Sequence, residues 1–294
     1  MKRQLIWTVL LLTLSAGVSA QKPDTARIQM YYKFSHLRDT LSRANPYTEN
    51  VVLFVGKHSA HYTSYDRLRE NELLKKQMQA QLVGSPDGSI RINHKMPGSE
   101  SEYYQWPGDQ KLIRKELLLT STYVITQALP IINWHVTGDT ASFGELHCQR
   151  AICHFKGRDY TAWFCPDISV HVGPWQLNGL PGVIVEAYDS KKEVVFKFAG
   201  VEKTVPITSE AGRPTDEHLV IMLASFGVDD ADLNPIIIRV PAKAIQTTSK
   251  AFIKLQEAMR KDPNAVADMQ NYDGPRPVHI FLPTINNPIE LPEK

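Results

Sequence analysis

The sequence predicts a mainly β protein of the α+β class. The expected core is a curved antiparallel sheet, a meander able to roll into a half-barrel, with one inserted helix and further helices near the C-terminus. Three observations predict it. Short runs alternate apolar and polar residues between turn signals as far as about residue 200. One longer stretch among them instead carries apolar residues at intervals of four. Beyond residue 200, helical spacing bounded by prolines replaces the strand pattern.

The elements follow in order. From Thr25 to Phe34, Ile28, Met30, Tyr32 and Phe34 alternate with Arg27, Gln29, Tyr31 and Lys33, the period of a half-buried strand. Val51 to Val55 is an apolar run that reads as a second strand, and His58 to Tyr62 can return beside it after Gly56. Ser64 is placed to cap a helix reaching about Leu82, with Leu74, Met78 and Leu82 stacked on one face. Pro86-Asp87-Gly88 reads as the turn that ends this region. Strands are expected near Tyr103–Trp106, Lys111–Leu119, Tyr123–Gln127, Asn133–Val136 and Ser142–Phe155. Pro214 and Thr215 can open a short helix ending near Gly227. After Pro241, Ile245, Thr248, Phe252, Leu255 and Met259 line one face of a second helix, which Pro263 stops. Asn271 to Lys294 is proline-rich and reads as an extended tail.

The N-terminus sets the expected compartment. Met1-Lys2-Arg3 is a basic start, Leu5 to Leu14 an apolar stretch, and Val18-Ser19-Ala20 presents small residues, so residues 1–20 read as a signal peptide cleaved after Ala20. The apolar stretch falls short of the roughly 20 residues that span a bilayer. The expected product is exported, soluble and periplasmic or associated with the cell envelope, one domain of residues 21–294 with a β-rich part to about 200 and a helical and extended remainder. Of the whole chain, 43% is apolar, and 33 basic side chains face 31 acidic ones. Losing Lys2 and Arg3 brings the mature chain to charge balance, which excludes a basic nucleic-acid binder and an acidic disordered tail.

The three cysteines, Cys148, Cys153 and Cys165, fall in one short passage. If Lys156-Gly157 is a two-residue hairpin turn, Cys148 lies opposite Cys165 at a non-hydrogen-bonded position, and a disulfide between them is expected. Cys148 cannot reach Cys153, because five residues of extended strand span roughly 16 Å. The same register puts Ala151, Cys153, Phe155, Tyr160, Ala162 and Phe164 on one face, read as core, with Cys153 a free thiol. A metal site built from His147, Cys148, Cys153, His154, Cys165 and His171 is a rival reading, but their spacing contains no Cys-x-x-Cys or His-x-x-x-His unit. His58 and His61 read as an exposed strand end.

Gly173-Pro174-Trp175 and Gly179-Leu180-Pro181-Gly182-Val183-Ile184 form the most distinctive passage. Pro181-Gly182 suits a type II turn, followed by a hairpin with Val183, Val185, Ala187, Val194, Phe196 and Phe198 on one face. Such a turn can serve as a rigid anchor or as a recognition loop, with Trp175, Gly179, Leu180, Pro181 and Gly182 as the ligand-binding candidates and Trp175 the aromatic expected to be exposed. Together with Gly157-Arg158-Asp159-Tyr160-Thr161-Ala162-Trp163-Phe164 and the ending Asn287-Pro288-Ile289-Glu290-Leu291, this passage resembles the GLPGLI family of exported bacterial proteins. The resemblance runs from about Tyr31 to the tail, with Val183 where the family name has leucine and Cys165 where threonine or serine is expected. It implies a Gram-negative envelope protein, often encoded near outer-membrane transport components, and implies no chemistry.

No Gly-x-Ser-x-Gly elbow, His-Glu-x-x-His, phosphate loop or dinucleotide fingerprint is present. Asp167, His171 and Glu186 could form an acid–base set only if the fold brought them together. The expected function is therefore a non-catalytic binding or accessory module for an apolar or peptide ligand, or for an outer-membrane transporter. No catalytic residue, metal, cofactor, nucleic acid or transmembrane segment in the mature chain is expected. A periplasmic hydrolase and a metal-binding protein are the alternatives.

Overall fold

A computed structural model of the chain describes residues 23–84, 98–99, 101–204, 216–262 and 285–293. Residues 1–20, expected as a signal peptide, the expected turn at Pro86-Asp87-Gly88, and Asn271 to Thr284 of the expected tail lie outside the described residues. The elements run β1 (Asp24–Thr25), β2 (Ile28–His36), β3 (Tyr47–Val55), β4 (Ala60–Ser64), α1 (Tyr65–Gly84), β5 (Ser101–Trp106), β6 (Lys111–Leu118) and β7 (Ser121–Ala128). They continue as β8 (His135–Phe143), β9 (Leu146–Phe155), β10 (Arg158–Cys165), β11 (Val183–Asp189), β12 (Val194–Lys203), α2 (Glu217–Ser225), β13 (Ile237–Ile238), β14 (Ile245–Thr247) and α3 (Ser249–Lys261).

Two meanders make one sheet of 12 strands, in the order β14-β7-β6-β5-β4-β3-β2-β12-β11-β10-β9-β8, not closed into a barrel. Residues β2 to β7 form one run of neighbours and β8 to β12 the other, joined where β12 pairs antiparallel with β2 from Val194–His36 to Lys203–Ile28. Among the described residues β14 adds the sole parallel pairing in this sheet, on β7. The expected mixture of an antiparallel sheet with one inserted helix and C-terminal helices is the fold observed.

Local chemistry explains the elements. The run Val51 to Val55 is buried on both faces: Val51, Leu53 and Val55 join one core cluster, Val52 and Phe54 the other. The Ser64 hydroxyl accepts the Arg67 amide at 3.1 Å and so caps α1, whose Leu74 and Met78 are buried. Asp216 caps α2 and Thr248 caps α3, so that Ile245, expected on the last helix, instead lies in β14. The expected strand over Ser142–Phe155 is broken at Gly144, where a φ of 60° turns β8 back into β9.

Lys156 and Gly157 have φ values of 49° and 69°, the paired positive angles of a type I′ hairpin. The expected register follows: Phe155 opposes Arg158, and Gln149 opposes Phe164. The six residues assigned to the core face of this hairpin are all buried. The tail closes over the turn. Asn287 donates to the Leu37 carbonyl (2.7 Å), Leu291 N donates to the Lys156 carbonyl (3.0 Å), and Glu290 takes the Lys156 ammonium at 2.6 Å.

The expected disulfide is not formed: Cys148, Cys153 and Cys165 are buried free thiols. The β9–β10 ladder ends at Gln149–Phe164, one position short of the two cysteines. There β10 shifts register against β11 between Trp163 and Phe164, and the Cys165 carbonyl turns to accept the Ile168 amide at 3.3 Å. The pair is thus not held as a regular ladder position would hold it. Burial, with Cys165 beside it, pushes the Cys148 thiol up to about 12.

Candidate functional site

The Gly-Leu-Pro-Gly passage is packed inward. Trp175, expected at the surface, is 3% exposed and lies against Phe155 and Tyr160, with ring centroids 5.7 and 6.4 Å away. Gln105, buried on β5, donates through Nε2 to the carbonyls of Gly173 and Trp175, both at 2.9 Å. Those bonds explain why a glutamine sits inside the sheet: it satisfies loop carbonyls that burial strips of water. Asn178 is tied in the same way, donating to the Pro130 carbonyl at 3.1 Å and accepting the Trp134 indole at 2.7 Å.

Leu180 and Gly182 are buried, whereas Gly179 and Pro181 are exposed. The turn is not type II. Gly182 N donates to the Leu180 carbonyl (2.8 Å), and Val183 N reaches the Ile168 carbonyl (3.1 Å) instead of closing on Leu180. A Cβ at Gly182 would strike the Cys165 carbonyl and come within 2.9 Å of Pro166 Cα. The passage anchors β11 against β10.

The other sequence candidates separate. Glu186 accepts the Phe198 amide at 3.2 Å, while Asp167 and His171 are exposed, and no hydrogen bond joins the three among the described residues. His154 pairs with Asp159 at 2.6 Å and Glu293 at 3.1 Å on the surface. No group of three or more His, Cys, Asp or Glu among the described residues is placed to hold a metal ion. No helix among them is long and apolar enough to cross a membrane.

A different region assembles charge. Lys115 on β6 is 2% exposed, and its Nζ lies 2.8 Å from Glu102 Oε1, 2.6 Å from Asp229 Oδ2 and 2.8 Å from Asp232 Oδ1. Glu102, directly opposite Lys115 across the β5–β6 ladder, reaches His61 Nε2 with its second oxygen at 2.6 Å. His61 was expected at an exposed strand end; it is 1% exposed and stacks on Tyr104, with ring centroids 4.1 Å apart and planes 4° from parallel. The covering segment after α2, not the strand pattern, buries this face.

Three carboxylates surround one ammonium, so the cluster carries surplus negative charge. Burial and the neighbouring Asp229 push Asp232 up to about 7. For Glu102 burial acts upward but is outweighed by Lys115 and His61, which hold its carboxyl well below the usual range. Burial would lower Lys115; Asp229, Asp232 and Glu102 outweigh it and keep the ammonium charged. A lysine so held is an electrostatic anchor and has no free lone pair for nucleophilic attack.

Asp229 also lines a cleft of about 360 Å³, formed by the Thr120-Ser121-Thr122 turn, α2 through Val220 and Ala224, the segment from Gly227 to Leu233, and the approach to β14 from Pro241 to Ile245. The volume falls in the range of small-molecule sites, about 300–1,000 Å³. Its lining is mainly apolar, with Asp229, Asp230 and Lys243 as charged members. This cleft is not legible in the sequence, since its walls come from four separate stretches and none carries a motif.

No family model matches the chain. No curated protein matches it either. Two solved structures of PNGF-II, one in a C2 and one in a P21 space group, are similar over 80% of this chain, with a TM-score of 0.49 in each case and 8% and 9% identity. The chain spans about a third of their length, 33% and 34%.

Proposed function

We propose that this protein is an exported binding module of the bacterial envelope, whose ligand occupies the cleft beside α2. The single observation that supports the reading is that cleft: a mainly apolar space of about 360 Å³ walled on one side by the fixed charge of Asp229 and its Lys115 anchor. Apolar walls supply affinity, and a few fixed polar groups supply orientation. The buried cluster supports binding over turnover, because His61 and Glu102 are closed off from the cleft's opening by their own burial. The basic-then-apolar start of the chain and its likeness to the GLPGLI family support export to the periplasm and a role beside outer-membrane transport components.

Ala224 lines the cleft from the exposed side of α2, so Ala224→Trp fills the space without disturbing the core. Native mass spectrometry of the protein purified from the envelope fraction is expected to show a retained small molecule in the wild type and none in Ala224→Trp. Equal spectra would overturn the reading. The intact mass in that experiment is expected to begin at Gln21.

A further inference from the structure

The walls of the cleft identify a class of ligand. β14 covers β7 only at Tyr123, Val124 and Ile125. Ser121 and Thr122 pair with Leu118 and Leu117 of β6 on one side and, among the described residues, have no strand on the other; both line the cleft. Two residues of β7 edge, without a partner strand among the described residues, therefore border the cleft just ahead of the point where β14 begins. Such an edge offers main-chain donors and acceptors to an incoming extended chain.

Charge is distributed to match. Asp229 and Asp230 come from the turn after α2, and Asp229 shares the Lys115 ammonium with Asp232 and with Glu102 of β5. Asp230 adds a carboxylate whose cationic neighbour, Arg239, stands 3.6 Å away. Lys243 follows Ala242, whose amide donates to Asp230 Oδ1 at 3.0 Å; it is exposed and makes no ion pair among the described residues. Val220, Ala224 and Leu233 supply apolar lining.

We infer that the cleft takes a short peptide with free termini, laid along the open edge of β7. Its ammonium faces the Asp229–Asp230 turn, its carboxylate faces Lys243, and small apolar side chains rest on α2. The volume of about 360 Å³ sets the length at about two or three residues. The inference rests on the reading of the cleft as the ligand site and narrows it from any apolar molecule to a zwitterionic peptide.

The test uses the full mature chain and a pooled library of tripeptides of Ala, Val, Leu and Thr, offered with free termini, N-acetylated, or C-amidated, with dodecanoate as the apolar probe. Native mass spectrometry is expected to show free tripeptides bound, with either blocking group weakening binding about tenfold or more. Lys243→Ala is expected to weaken the free-carboxylate peptides and leave the amidated ones unchanged, and Ala224→Trp to abolish all binding. If dodecanoate binds, is lost in Ala224→Trp, and tripeptides do not bind, the peptide inference fails while the cleft reading stands. If peptides bind equally to Ala224→Trp, the location is wrong. If no probe binds, both fall.

Discussion

Two glycines of the Gly179-Leu180-Pro181-Gly182 passage are needed for different reasons. Gly179 has a φ of 88°, and nothing lies within 4 Å of where its Cβ would be, so only backbone conformation opposes a side chain there. At Gly182, with φ 155°, a Cβ would meet the Cys165 carbonyl and the Pro166 backbone, neither of which can swing aside like a flexible side chain. Gly182→Ala must therefore push β10 and β11 apart, at a cost of about 1–3 kcal/mol. Gly179→Ala is expected to cost about 1 kcal/mol. Urea unfolding of the two variants checks the order; equal losses would show that the approach of Gly182 to Cys165 contributes nothing.

Among elements, several bonds of the C-terminal strap converge on one buried side chain. Arg158, at the start of β10, donates to Asp189 Oδ2 (2.9 Å), Asn287 Oδ1 (2.7 Å), and the carbonyls of Pro288 (2.7 Å) and Ile289 (3.0 Å). It is 4% exposed, so removing it strands buried acceptors and an unpaired carboxylate. Arg158→Ala is expected to cost about 3–5 kcal/mol and to free the tail. Limited proteolysis should then cut within residues 285–293 in the variant and spare that stretch in the wild type; identical digests would mean that the strap holds without Arg158. This element also shows what the sequence could disclose. The Lys156-Gly157 turn fixes the β9–β10 register, because a two-residue loop leaves one pairing. The β2–β12 junction was not legible, since local periodicity says nothing about partners far apart in the chain. Nor were Lys115 and Glu102: charged strand residues such as Arg114-Lys115-Glu116 read as solvent-facing, and the segment after α2, through Asp229 and Asp232, turns Lys115 into an interior residue. Trp175 misled for the converse reason, as turn signals around it mark chain reversal and not exposure.

For the whole molecule, two buried groups set opposed dependences of stability on pH. His36 joins the tail through Asn287, its Nε2 lying 2.9 Å from the Asn287 carbonyl. Burial, aided by Arg38 and Arg158 against the pull of the Asn287 carbonyl and Asp189, lowers its pKa from 6.5 to about 4. The unfolded chain then binds the extra proton, so this contribution is present above 6.5 and lost as pH falls towards 4. Asp232 does the reverse. Its pKa rises from 3.8 to about 7, the folded chain binds the extra proton, and the contribution is present below 3.8 and lost as pH rises through 7. Between 4 and 6.5 the two oppose each other in the wild type. Each variant unmasks its counterpart. Relative to wild type, Asp232→Asn is expected to make stability rise more steeply with pH across this window, and His36→Gln to make it fall. Asp232→Asn also loses an acceptor for the Asp229 amide, which lowers its whole curve but not the slope. Lowered carboxylates such as Glu102 and Glu193 lose their contribution at acid pH in all three proteins, so they drop out of the comparison. Urea midpoints measured across the window decide it: parallel curves for the three proteins would show that neither the tail clasp nor the Lys115 cluster is linked to protons.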